Sequence, residues 1–224
     1  MKCHASLRVA VIAVLLQPLW TASALAPKEK PAAPTAADHK AQTHQRIIKE
    51  ASVRFRRDGI GATGLQPLMK ALNLTHGGFY AHFRSKDELV EKALQAAAAE
   101  LDAHCEMLFS QERPLEAFID SYLSEWHLTS PAEGCPLPTM SSELGLRGQH
   151  SATTDAVLGA RLKQIETALG NGQCDAQGLV MMSTLVGALV LARSVEDKAL
   201  AMRILDVVRD SLKNQVAEDE KAGQ

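Results

Sequence analysis

The sequence predicts an all-α protein, and three observations point there. The chain has 224 residues, 46% of them hydrophobic, with Ala and Leu prominent. Its apolar residues recur at helical spacing. Val, Ile and aromatic residues, the last only 4% of the chain, are never dense enough in alternating runs to build a sheet. The length is ample for a small domain attached to a larger one with a buried core.

The net charge of −2 is unevenly spread. Residues 44–92 carry nine Lys and Arg against five Asp and Glu, whereas residues 93–224 carry ten against nineteen. The middle segment suits a polyanion and the acidic remainder is repelled by one, as for a small nucleic-acid reader carried on a larger body. Cys3, Cys105, Cys135 and Cys174 are widely spaced and form no CxxC or Cys/His cluster. Neither a zinc site nor a disulfide framework is suggested, and no cofactor is expected.

Residues 1–26 look like an export signal. Lys2 and Arg8 precede an apolar run from Val9 to Leu16, and Ala22, Ala24 and Ala26 follow in A-x-A spacing. The run is too short to span a bilayer. "PKEKPAAPTAAD" then reads as a flexible linker, so residues 1–40 are set apart from the fold. Three accounts of this beginning stand open: export, an uncleaved anchor with the body in the cytoplasm, or a start placed upstream of the true one.

From Thr43 the pattern changes. Ile47, Ile48, Ala51, Val53 and Phe55 recur at near-helical spacing up to Gly59, which ends the first helix. Thr63 and Gly64 open a short second helix, with Pro67 tolerated in its first turn and Leu65, Leu68, Met69 and Leu72 apolar. Asn73 enters the left-handed region at modest cost, so "LNLT" predicts a tight turn with Thr75 capping a third helix. Two short helices joined in this way make a helix-turn-helix.

In the third helix Phe79 and Phe83 share one face and plug a small core, while His76 and Tyr80 share another and look outward. Gly77 and Gly78 each cost about 1 kcal/mol against Ala in a helix interior. That cost makes sense where a backbone or a bulky partner approaches closely, helix two on one side or a DNA strand on the other. Ser85 and Glu88 form an S-x-x-E capping box for a fourth helix. Lys86 in its first turn opposes the helix dipole, an objection that a nearby phosphate removes.

The 47 residues "HQRIIKEASVRFRRDGIGATGLQPLMKALNLTHGGFYAHFRSKDELV", above all the run T-x-G-x-F-Y-x-H-F-x-S-K-x-x-L, resemble the amino-terminal DNA-binding domain of TetR-family transcriptional regulators. The resemblance implies base and phosphate contacts from Thr75, His76, Gly77, Gly78, Tyr80 and His82, a phosphate contact from Lys86, and a further one from Thr63. Asn73 replaces the family's usual turn glycine. Gly78 stands where Thr or Ser is common, which removes one side-chain contact.

Beyond residue 90 the sequence predicts a larger helical domain over 91–224. Helices are expected from Lys86 to Phe109, through "PLEAFIDSYLSEWHL" from Pro114, and over 138–146, 151–169, 175–194 and 196–213. "LVMMSTLVGALVLARS" is apolar nearly all round, with Gly187 and Ala188 allowing close approach, and the last helix carries a stripe of Leu200, Ile204, Leu205, Val208 and Leu212. The resemblance implies a homodimer through these two helices, serving a palindromic operator in double-stranded DNA. It also implies a pocket for an unknown small-molecule effector, with Phe109, Tyr122, Trp126, His127 and Met140 as candidate lining residues.

Cys135, ahead of a predicted helix whose amino-terminal dipole lowers a thiol pKa, is a candidate sensor. Its "GCPL" stretch resembles that of a TetR subgroup, some of whose relatives sense electrophiles or oxidants. The expected function is a cytoplasmic repressor released by a small molecule or thiol-modifying signal, with no stable membrane association. No nucleophile elbow, metal spacing or phosphate loop appears, so no enzyme is expected. The rivals are an exported helical binding protein, favoured by residues 1–26, and an enzyme using Cys135 with His127.

Overall fold

The computed structural model describes residues 35–170 and 175–222. The signal-like segment and the prolines behind it lie outside the described residues. Helix α1 (Ala36–Asp58) begins seven residues before Thr43, inside the stretch expected to be linker. The reason is local: Asp38 N–H donates to the Thr35 hydroxyl at 3.2 Å while Thr35 N–H donates to the Asp38 carboxylate at 2.8 Å. This reciprocal capping box starts a helix as soon as the prolines end. Gly59, at φ 91°, stops it.

Helix α2 (Leu65–Ala71) leads into a turn at Asn73, whose φ of 59° is left-handed as the sequence predicts. The segment that follows departs from expectation. Residues Gly77–Ala81 form a tight 3₁₀ turn, with Phe79 N–H donating to His76 and His82 N–H to Phe79. Two adjacent glycines and so short a length leave too few four-residue bonds to hold an α-helix. The turn's N-cap is His76, without a side-chain bond, and Thr75, the expected cap, stands one residue earlier, its hydroxyl accepting from Gly78 N–H at 3.1 Å.

Helix α3 (Lys86–Phe109) is capped by Ser85, which accepts from Glu88 N–H at 3.1 Å. Glu88 returns not to Ser85 but to Arg84 N–H, at 2.7 Å. The helix runs unbroken through the expected boundary at 90/91. The run after Pro114 divides into α4 (Pro114–Tyr122) and α5 (Glu125–Thr129), because Ser124 caps a new start by accepting from His127 N–H. A wide π-type turn, Leu137–Ser141, precedes α6 (Ser142–Leu146), and α7 (Ala152–Leu169) and α8 (Asp175–Ser194) follow as expected. Helix α9 (Lys198–Ala222) continues nine residues past Lys213, anchored by the buried Val216.

Two apolar cores result. One gathers Ile47, Phe55, Leu68, Met69, Phe79, Phe83 and Leu89 from the helix-turn-helix with Met140 and Leu144 from the larger part. The other gathers Phe118, Tyr122, Leu185, Leu189 and Leu205 among α3, α4, α7, α8 and α9. Helix α8 is long and apolar enough to cross a membrane by composition, yet Met181, Met182, Leu185 and Leu189 bury one face in this core. Its other face is open: Leu179, Val180, Val190 and Leu191 are exposed, as are Leu200 and Val207 of α9.

Candidate nucleic-acid interface and effector cavity

The α2–turn–3₁₀ unit hides its rings and shows its polar side. Phe79 and Phe83 stack with centroids 5.4 Å apart, and His44 of α1 stacks on Phe83 at 4.5 Å. Tyr80 is 62% exposed, with His76 edge-on to it at 6.0 Å and also exposed. The glycines divide their roles. A Cβ on Gly77 would meet nothing within 4 Å, whereas one on Gly78 would lie 3.2 Å from the Thr75 hydroxyl and 4.0 Å from Met69. Gly78 therefore serves packing onto α2, and Gly77 leaves the outer surface bare.

Three expected contact residues are partly turned inward. Thr63 is buried and donates its hydroxyl proton to Gly59 carbonyl at 2.7 Å, so that proton is not offered outward. Lys86 donates to Ile60 carbonyl at 2.5 Å and lies 6.0 Å from the Phe55 ring centroid. Burial, with Arg147 nearby, lowers its pKa. His82 is half-buried with Nδ1 unpartnered, and burial, then the His44 and Lys40 charges, lowers its pKa. Two of the three ammonium protons of Lys86 remain available beside Ile60.

The α1–α2 corner is held by the larger part of the chain. Glu143 on α6 accepts from Gly61 N–H at 2.7 Å. Arg56, 1% exposed, sends its three donor nitrogens to Ser52 carbonyl at 3.2 Å, Gly134 carbonyl at 3.2 Å and Glu100 carboxylate at 2.6 Å. Nothing in "RFRRD" distinguishes Arg56 from Arg54 or Arg57, and only the fold selects it.

Gly134 belongs to the wall of a partly open, mostly apolar cavity among α3, α4, α5, α7 and α8. Tyr122, Trp126, His127 and Cys135 line it as expected. Met140 does not; it is fully buried in the helix-turn-helix core, because the π-type turn rolls it toward α1. Phe109 packs beside Phe118 at 5.0 Å and faces an outer groove instead. Cys105, His104 and Arg161 line the cavity and were not singled out by the sequence.

His127 is locked into one tautomer. Its Nε2 accepts from Cys135 N–H at 3.0 Å, so Nδ1 carries the proton and donates to Tyr122 carbonyl at 2.8 Å. Neither nitrogen is left to take a thiol proton, which removes the basis for a Cys135–His127 dyad. Burial, with Arg193 nearby, pushes the imidazole down to about 4. The unfolded chain titrates near 6.5, so between pH 6.5 and 4 it takes up the proton first and stability falls through that window, by on the order of 3 kcal/mol. Urea unfolding at pH 7, 5.5 and 4, beside a His127→Asn control that lacks the slope, checks this.

The lowered thiol expected at Cys135 is absent. Burial pushes its pKa up, outweighing the Tyr122 hydroxyl and the Leu137 amide. The neighbouring turn is π-type rather than a long helix, so the dipole expected to act on the sulfur is weak.

Residues 47–93 match the family model described as bacterial regulatory proteins, tetR family. This stretch is a TetR-type DNA-binding domain. The chain is a DNA-binding transcriptional regulator, and the matched residues, its head, run from within α1 through α2 and the 3₁₀ turn into the start of α3. It is 22% identical over 182 residues to the HTH-type transcriptional regulator YxaF of Bacillus subtilis, covering 75% of this chain and 94% of that one. In fold it is similar to a TetR regulator from Chloroflexus aurantiacus, at 23% identity and a TM-score of 0.64 over 78% of this chain and 96% of that one. The TetR-family regulator from Cytophaga hutchinsonii gives 21% identity and a TM-score of 0.66 over 80% and 96%. Among the described residues no His, Cys, Asp and Glu cluster could hold a metal ion.

Proposed function

We propose that the chain is a cytoplasmic homodimeric repressor whose operator is released when a small molecule fills the cavity. The observation that carries this reading is Arg56. It sits in the head's first helix yet donates to Gly134 carbonyl in the cavity wall, whose next residue is bonded to His127. A ligand that displaces this wall moves the anchor of α1, and it shifts the equilibrium only by as much as it prefers the released state. The raised thiol of Cys135 supports a non-covalent signal over thiol modification. The open apolar faces of α8 and α9, with empty space over Gly187, support a partner copy packed there.

The proposed DNA surface is the Thr75–Tyr80 side of the head, with His82 at its margin and Lys86 and Thr63 bracing it from behind. Gly77→Leu tests it, since a Cβ there meets no atom of the described residues within 4 Å and folding should change by less than about 0.5 kcal/mol. Operator binding should be lost because the DNA backbone no longer fits. Tyr80→Ala should weaken binding by roughly 1 kcal/mol per half-site, and Lys86→Ala should also lower the salt slope. Gel-shift titrations beside urea unfolding curves separate these. Unchanged affinity in the Gly77→Leu protein would mean that this face does not meet DNA.

A further inference from the structure

The cavity is apolar, rich in donors and poor in acceptors. Leu101, Leu108, Phe118, Trp126, Val157 and Met182 supply its greasy walls, and no Asp or Glu lines it. Tyr122, 6% exposed and part of the lining, has a hydroxyl that makes no hydrogen bond of ordinary geometry, although it lies beside Cys135. Such a buried hydroxyl is costly unless something comes to pair with it.

Arg193 holds the backbone of the cavity wall at His127. Its Nε and Nη2 donate to the carbonyls of Leu128, at 3.4 Å, and His127, at 2.5 Å, both neutral acceptors. Its Nη1 is buried without a partner, and the ionisable groups that raise its pKa are Tyr122 and Cys135, not a carboxylate. Arg161, which also lines the cavity, is by contrast already matched by Asp102 at 2.6 Å. Among the described residues, one guanidinium thus has no carboxylate partner, and His127 joins its segment to Tyr122, whose hydroxyl is unpaired.

We infer that the cavity takes a hydrophobic organic acid: a compact, ring-containing body bearing one ionised oxygen group that accepts from the Tyr122 hydroxyl and is balanced by Arg193. The apolar walls take the body by burial, and the oxygen supplies the acceptor that the wall lacks. Burial holds the Tyr122 phenol protonated, and so a donor, at neutral pH. Lipophilic cations are disfavoured, because no carboxylate lines the cavity to receive them. This inference rests on the reading of the cavity as the effector site.

The test uses the full chain and three probes with one body: 2-naphthoate, its neutral amide, and a naphthyl trimethylammonium. Trp126 in the wall reports occupancy by fluorescence, and calorimetry gives the affinity. The acid should bind at least about tenfold more tightly than the amide, and the cation should not bind. Tyr122→Phe should weaken the acid about tenfold while leaving the amide within about twofold, and Arg193→Gln should erase the preference for the acid. Equal binding of acid and amide, binding of the cation, or no binding of the acid would overturn the inference. If the amide binds in the cavity as well as the acid and releases operator DNA, the effector reading survives without the charge preference. If the acid binds selectively and operator affinity does not change, the acid site stands and the effector reading falls.

Discussion

Phe79→Ala is expected to remove about 3–5 kcal/mol of stability and to abolish operator binding at 37 °C. Phe79 is fully buried, stacked on Phe83 and packed with Leu68 and Met69. Its position in a short 3₁₀ turn makes the loss harder to absorb than in a long helix. Few backbone bonds hold the segment, and the ring carries most of the burial that fixes it. Because domains are stable by only about 5–15 kcal/mol, the head would be open for much of the time. Urea unfolding followed by circular dichroism, beside gel shifts, checks both halves. Phe79→Leu should lose less than half as much stability and keep binding. A Phe79→Ala protein that unfolds at the wild-type midpoint would show that the ring does not hold the turn.

Gly134→Ala should be nearly as damaging, although it adds a single methyl group far from the DNA surface. A Cβ there would lie 2.3 Å from His127 Cδ2 and 2.5 Å from its Nε2. The ring cannot swing aside cheaply, being 4% exposed and bonded at both nitrogens. Overpacking costs about 1–3 kcal/mol and a broken hydrogen bond about 1 kcal/mol more. A fall in melting temperature of roughly 5–15 °C follows for a chain of this size. The same substitution shifts the carbonyl that Arg56 holds, so operator affinity should fall and should no longer respond to a cavity ligand. Differential scanning fluorimetry and gel shifts with and without ligand read the two effects. Arg56→Met separates them further, since it cuts the link without crowding His127. A Gly134→Ala protein with native melting temperature and full ligand response would show that this wall does not connect cavity and head.

The helix-turn-helix was legible because its signals are local. The spacing of Ile47, Ile48, Ala51 and Phe55, the left-handed tolerance of Asn73, and the hydroxyl bonds of Thr75 and Ser85 each act within a few residues. Exposed Tyr80 and buried Phe79 and Phe83 likewise follow from spacing alone. The fold class and the helices over 86–109, 151–169 and 175–194 were legible for the same reason. What the spacing overstated was regularity. Gly77 and Gly78 tighten the third segment to a 3₁₀ turn, and Ser124 breaks the run after Pro114 in two. The early start of α1 was hidden because prolines up to Pro34 masked the Thr35–Asp38 box.

The amino-acid order by itself determined the all-α class and the DNA-reading unit with its bare outer glycine, because periodicity and capping are properties of neighbouring residues. The tertiary structure alone decided that Arg56 reaches Gly134 across 78 residues of chain, and that Met140 serves the head rather than the cavity. It also decided that His127 spends both nitrogens on backbone, and that Tyr122 and Arg193 keep donors unpaired among the described residues. Burial and desolvation depend on which distant segments close over a side chain, and no local pattern records that.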